Sequence, residues 1–140
     1  FQKGVSHDIA LIQLSTNDSV FLFRINKIGL DESILNILTD PNILKVGIDI
    51  KNDLSGLKKM INFQECNFLD LNTLAIQKGF KSIGAVKLTI MLLGFRISKR
   101  QRLSDWSAEV LTDAQVEYAA IDAWICLKIL QAFKDNSLFP

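Results

Sequence analysis

A chain of 140 residues and 15.7 kDa fits one domain, and 16 Lys and Arg against 15 Asp and Glu leave a charge of +1, so any basic surface that draws a polyanion must be local. Apolar residues at 49% and charged residues at 22% exclude a disordered chain, and the apolar runs fall far below the roughly 18 residues that span a bilayer, so no membrane association is expected. Cys66 and Cys126 show no CxxC spacing and nothing reads as an export leader, so two buried thiols in a reducing, intracellular compartment are expected, cytoplasm in a bacterium or cytoplasm or nucleus in a eukaryote.

Residues 9–14 and 20–25 are β-rich runs separated by Ser15-Thr16-Asn17-Asp18-Ser19, a turn cluster, and predict a hairpin. Leu30, Ile34, Leu35 and Leu38 repeat at helical spacing until Asp40-Pro41 stops them. Residues 43–48 form a short apolar run that predicts a buried strand. Ile50, Leu54, Leu57 and Ile61 then mark a helix, with Asp49 as its expected N-cap. Residues 66–69 predict another brief strand. Asp70 is placed to cap a helix ending at the left-handed Gly79, and Ser82 to cap a further one that ends at Gly94. After a basic stretch, Thr112-Asp-Ala-Gln115 spells a capping box that opens a long helix to about residue 136. A hairpin followed by alternating strands and helices makes the fold α/β with a mixed sheet.

Two carboxylates violate the apolar patterning. Asp53 lies three residues after Ile50 and four before Leu57, on the apolar stripe of its helix. Asp122 is the only charge in the stretch 118–127, Tyr-Ala-Ala-Ile-Asp-Ala-Trp-Ile-Cys-Leu. A helix so apolar is mostly buried, and a buried carboxylate is costly unless paired, hydrogen-bonded or metal-bound. Tyr118 stands one turn before Asp122 on the same face. Either acid could instead accept a hydrogen bond from a helix end, a backbone amide or Tyr118 itself, and spacing leaves these alternatives open. His7 is the only histidine, which sets aside zinc clusters and Ser-His-Asp triads. The glycines are too dispersed for a phosphate loop. Asp49 and Asp70 are assigned to helix caps, Gln13 to the outer face of its strand in preference to a place near the site, and Trp106 to the core in preference to stacking on a base.

With these residues in place, the chain resembles the DEDDy-type 3′–5′ exonucleases, the group of ribonuclease D and the Werner syndrome helicase exonuclease domain. Lys45-Val-Gly-Ile-Asp-Ile-Lys-Asn-Asp53-Leu resembles the second motif of that family. The stretch 98–123, with Tyr118-x-x-x-Asp122 at its core, resembles the third, and Ala10-Leu-Ile-Gln-Leu-Ser-Thr16 the segment that follows the first. The similarity runs from about residue 4 to residue 130. The first motif, Asp-x-Glu, has no counterpart in the sequence; the nearest acid, Asp8, lacks its partner and spacing.

The resemblance implies a ribonuclease H-like mixed sheet with flanking helices, here without its first, central strand, so that the domain is expected to be N-terminally incomplete. It implies two divalent cations, Mg²⁺ or Mn²⁺, with Asp53 and Asp122 as metal ligands and Tyr118 orienting or helping to deprotonate the attacking water. The implied reaction is hydrolysis of terminal phosphodiesters at the 3′ ends of DNA or RNA, releasing nucleoside 5′-monophosphates. Arg96, Lys99, Arg100 and Arg102 fall within 7 residues that hold no acid, and inside that leader they are candidates for phosphate contact. Lys51 and Asn52 beside Asp53 are further candidates. The other reading is a non-catalytic nucleic-acid-binding or interaction module with an exonuclease-like fold and an incomplete metal set. The 140 residues by themselves are expected to bind metal weakly and to lack nuclease activity.

Overall fold

Four-residue strands on either side of a polar turn open the ordered architecture: β1 (Ile12–Ser15) pairs antiparallel with β2 (Val20–Phe23), Gln13 facing Leu22 across the ladder. This is the expected hairpin, seen in a computed structural model that describes residues 9–79 and 100–135. Its turn is held by Thr16, whose N–H donates to the Ser19 carbonyl at 2.8 Å and whose hydroxyl accepts from the Ser19 N–H at 3.2 Å. The second strand is shorter than its β-rich run, because Ile25 leaves it to begin a single helical turn, α1 (Ile25–Ile28), that buries Ile25.

Helix α2 (Glu32–Thr39) starts where Asp31 accepts the Ile34 N–H at 3.1 Å and buries Ile34 and Leu38. Strand β3 (Lys45–Gly47) is half the expected length, since Ile43 and Leu44 are exposed rather than buried. Lys45 is buried instead. Its ammonium donates to the Asp40 carbonyl at 2.7 Å and lies over the Phe68 ring, and burial holds its pKa below the ordinary lysine value. β3 pairs in parallel with β4 (Phe68–Asp70), Val46 opposite Leu69, with helix α3 (Ile50–Lys58) between them in sequence. Helix α4 (Leu71–Gln77) follows β4 and ends at Gly79, whose φ of 94° suits only glycine well. The Ser82 helix falls outside the described residues.

The caps of α3 and α4 differ from expectation in one respect. Asp49 adopts the left-handed conformation (φ 62°, ψ 39°) and does not cap α3. Asp70 serves both helices: Oδ2 accepts from the Ile50 N–H at 3.0 Å and Oδ1 from the Asn72 N–H at 2.9 Å. One carboxylate thus satisfies a free N–H at two helix starts and pins α3 to the end of β4.

The last helix, α5 (Asp113–Asp135), opens with the capping box read from sequence. Gln115 donates its N–H to Thr112 Oγ1 at 3.1 Å, and its side-chain oxygen accepts the Thr112 N–H at 2.9 Å. The buried Gln115 amide also donates to Ser104 Oγ at 3.1 Å and to the Asp105 carbonyl at 2.9 Å, fastening the preceding loop. Arg24 and Lys27 hold the other side of that loop at the Ala108 and Glu109 carbonyls and the Glu109 carboxylate.

Helix α5 serves two cores. Near its start, Tyr118 and Ala119 pack with Leu11, Leu22, Trp106 and Leu111 on one face of the hairpin. Further on, Ile125, Cys126, Ile129, Leu130 and Phe133 pack with Leu71, Leu74 and Ala75 of α4 and with Val46 and Leu69 of the parallel pair. The other face of the hairpin carries Ile12, Leu14 and Phe23 against Ile25, Ile34, Leu38 and Leu57. Both faces of the hairpin are therefore covered. Among the described residues the strands form two separate pairs, β1 with β2 and β3 with β4, and α5 touches both.

The Gln115 network predicts a specific loss of stability. Gln115→Ala removes the reciprocal cap and both ties to the loop and should lower unfolding free energy in urea by about 2 kcal/mol, with Thr112→Ala costing about 1.

Candidate active site

The changeover between the two α5 cores falls at Asp122. Residues before it pack on the hairpin and residues after it on α4, so the helix surface between them stays open, and Asp122 is exposed rather than buried. This corrects the expectation from composition: an apolar stretch that divides itself between two cores does not bury the residue at the division. The carboxylate still turns toward protein. Gln13 on β1 donates its amide N–H to Asp122 Oδ2 at 3.4 Å. Protein around the carboxyl raises its pKa above the ordinary aspartate value, and the Arg102 charge works in the opposite direction.

Tyr118, one turn earlier, is half-buried with its ring 6.0 Å from that of Trp106. Trp106 is the core anchor read from sequence, 8% exposed, and its indole N–H donates to the Arg102 carbonyl at 3.3 Å. Burial, then the Asp122 charge, pushes the Tyr118 phenol above its ordinary pKa, while Arg102 pulls it down. The phenol therefore keeps its proton at neutral pH. Arg102, one cation of the basic stretch, acts electrostatically on both groups.

Asp53 sits half-buried in the first turn of α3. Its link to Asp122 runs through Cys126. Burial first, then the charges of Asp122, Asp70 and Asp53, push the Cys126 thiol up to about 12. Carboxylates from α3, from the β4–α4 junction and from α5 thus lie within electrostatic reach of one sulfur. Asp70 is committed to its two caps, and Asp53 and Asp122 are the other two acids of this group.

The other candidates divide. Arg100 is exposed and Arg102 half-buried, whereas Arg96 and Lys99 lie outside the described residues. Asn52 is exposed and donates to Asp49 Oδ2 at 3.0 Å. Lys51 is exposed and lines an open groove of about 690 Å³ with Lys58, Lys59, Phe68 and Thr73, a groove that does not include Asp53, Tyr118 or Asp122. Gln13 belongs beside Asp122 and not on an outer face. Of the two thiols, Cys126 is buried and Cys66 only half-buried.

The donor set suits a hard cation in kind. Asp53 and Asp122 offer carboxylate oxygen, which Mg²⁺ and Mn²⁺ prefer to the sulfur of the nearby Cys126. In number the set is partial. Among the described residues no three His, Cys, Asp or Glu side chains gather closely enough to hold an ion, and none of the helices is long and apolar enough to cross a membrane.

A family model described as 3′–5′ exonuclease matches residues 3–137, and the chain belongs to that family. Ribonuclease D of Gluconacetobacter diazotrophicus is 32% identical over 117 residues, covering 82% of this chain and 30% of that protein. Exonuclease 3′–5′ domain-containing protein 2 of Drosophila melanogaster is 31% identical over 132 residues, 91% of this chain and 23% of that protein. The chain thus spans about a quarter to a third of these curated relatives. Among solved structures, Escherichia coli RNase D, described as an exoribonuclease involved in structured RNA processing, superposes with a TM-score of 0.78 at 29% identity over 94% of this chain and 36% of that one. The Nibbler EXO domain of Aedes aegypti gives 0.82 at 23% identity over 96% of this chain and 73% of that one, a likeness of fold. The chain is a ribonuclease H-like, RNase D-type 3′–5′ exonuclease domain.

The raised Cys126 pKa fixes a direction with pH. Between the ordinary thiol value and about 12 the unfolded chain loses this proton and the native chain keeps it, so the contribution of this group to stability falls as pH rises through that range. Urea unfolding from pH 8 to 10.5 should show a decline that Cys126→Ala makes shallower, and the native thiol should resist alkylation at pH 8 until the chain unfolds.

Proposed function

We propose that this domain hydrolyses the terminal phosphodiester at the 3′ end of a nucleic acid with two divalent cations, Mg²⁺ or Mn²⁺, and releases nucleoside 5′-monophosphates. The observation that carries this reading is the Tyr118–Asp122 pair, a half-buried phenol one helical turn from an exposed carboxylate, with Arg102 acting on both. Family membership supports the reaction class.

In this reading Asp53 and Asp122 hold the cations with further carboxylates. The likeness of the two other motifs to the family implies that these would be an Asp-x-Glu pair. When bound, the cations lower the pKa of the attacking water and stabilise charge on the attacking and leaving oxygens. The chain's own residues do the remaining work. The Tyr118 phenol accepts a hydrogen bond from the attacking water and orients it, and its raised pKa supports orientation over proton removal. Arg102, with Arg100 further out and Arg96 and Lys99 in the same basic stretch, meets the phosphates behind the scissile bond. Lys51 is a candidate for a more distant phosphate; Asn52, tied to Asp49, is a weaker one. A bond forms between the water oxygen and phosphorus while the bond from phosphorus to the neighbouring O3′ breaks. One water proton leaves to solvent and O3′ takes one up.

The test is made in the intact protein. Asp53→Asn and Asp122→Asn should each reduce turnover of a 3′-labelled oligonucleotide by two or more orders of magnitude with thermal unfolding little changed. Near-normal rates in either variant would remove that residue from the site. Arg102→Ala should weaken binding of a single-stranded oligonucleotide and reduce the slope of log affinity against log salt by about 1.

A further inference from the structure

Gln13 is a polar side chain in a place that patterning reserves for apolar ones. Strand alternation puts Leu11 and Gln13 on the same face of β1, and Leu22 stands opposite Gln13 in the ladder. Leu11 and Leu22 pack there with Trp106, Tyr118 and Ala119. This face is the one α5 covers. The flanking Ile12 and Leu14 point to the other core. The half-buried amide finds a partner across 109 residues of sequence: its N–H donates to Asp122 Oδ2 at 3.4 Å.

From this we infer that Gln13 is a positioning residue for Asp122, a role that rests on the reading of Asp122 as a cation ligand. Asp122 is an exposed residue of α5. A carboxamide on a paired strand gives Oδ2 a fixed donor, and Oδ1 takes no part in that bond. The donor costs Asp122 no charge, unlike a lysine or arginine in the same place, so the carboxylate keeps its full attraction for a divalent ion. Partners that orient metal-binding carboxylates typically govern affinity by about 10- to 100-fold.

The test uses the intact protein and titrates Mn²⁺ into the metal-free form by calorimetry, alongside thermal unfolding and steady-state kinetics. Gln13→Met keeps the length of the side chain, removes the donor and suits the leucine neighbours. It should weaken Mn²⁺ binding by about ten-fold and raise the Mn²⁺ concentration for half-maximal activity similarly. Its unfolding temperature should equal or exceed that of the parent. Gln13→Glu, which sets a like charge against Oδ2, should impair binding of the first ion at least as much at pH 8. Unaltered Mn²⁺ affinity in Gln13→Met, with Asp122→Asn strongly impaired, overturns the positioning role and leaves the active site standing. Unaltered Mn²⁺ affinity in Asp122→Asn overturns the site itself. Lost stability with retained affinity in Gln13→Met would make Gln13 a packing residue only.

Discussion

Helix α5 has to satisfy two cores with one face after another, and the site follows from that demand. Its first turns close over the hairpin through Ala119 and Tyr118, and its later turns close over α4 and the parallel strands through Ile125, Ile129 and Phe133. Side chains of this size contribute about 1.5–3 kcal/mol each when fully buried, so the helix is fixed at both ends of its length. The single residue type that neither core can use, a carboxylate, stands where one core stops and the next starts. Rigidity on both sides of Asp122 gives a charged group a defined place without burying it.

The same economy governs the acids around it. Asp70 is engaged in structure, capping two helices and tying the start of α3 to the end of β4. The Asp53 charge is felt at Cys126, which lies one turn beyond Asp122 on α5. The thiol, neutral and buried, is a spacer that feels three carboxylates and answers none of them. Trp106 completes the frame from the loop, touching Tyr118 with its ring and holding the Arg102 backbone with its indole nitrogen.

Much of this was legible in the residues, for local reasons. The capping box at Thr112 and Gln115, the hairpin turn at Thr16 and the helix stop at Asp40-Pro41 are each written within four or five residues, and the structure has them. The Tyr118–Asp122 spacing and the similarity around Asp53 pointed to the family that comparison established. What failed to show were facts that depend on distant partners. Asp49 reads as a cap because it precedes the helix, but the cap is Asp70, twenty residues away in sequence. Gln13 reads as outward-facing because alternation assigns faces without saying which are covered, and here both are. Asp122 reads as buried because its neighbours are apolar, although they are apolar for two different cores.

The central claim is that Asp53 and Asp122, from two helices distant in sequence, address the same cation site. Anomalous diffraction at the manganese edge, from crystals of the intact protein soaked in Mn²⁺, measures this directly. The account predicts a peak contacted by carboxylate oxygens of both residues. A manganese peak lying elsewhere, with either aspartate turned from it into solvent, would contradict it.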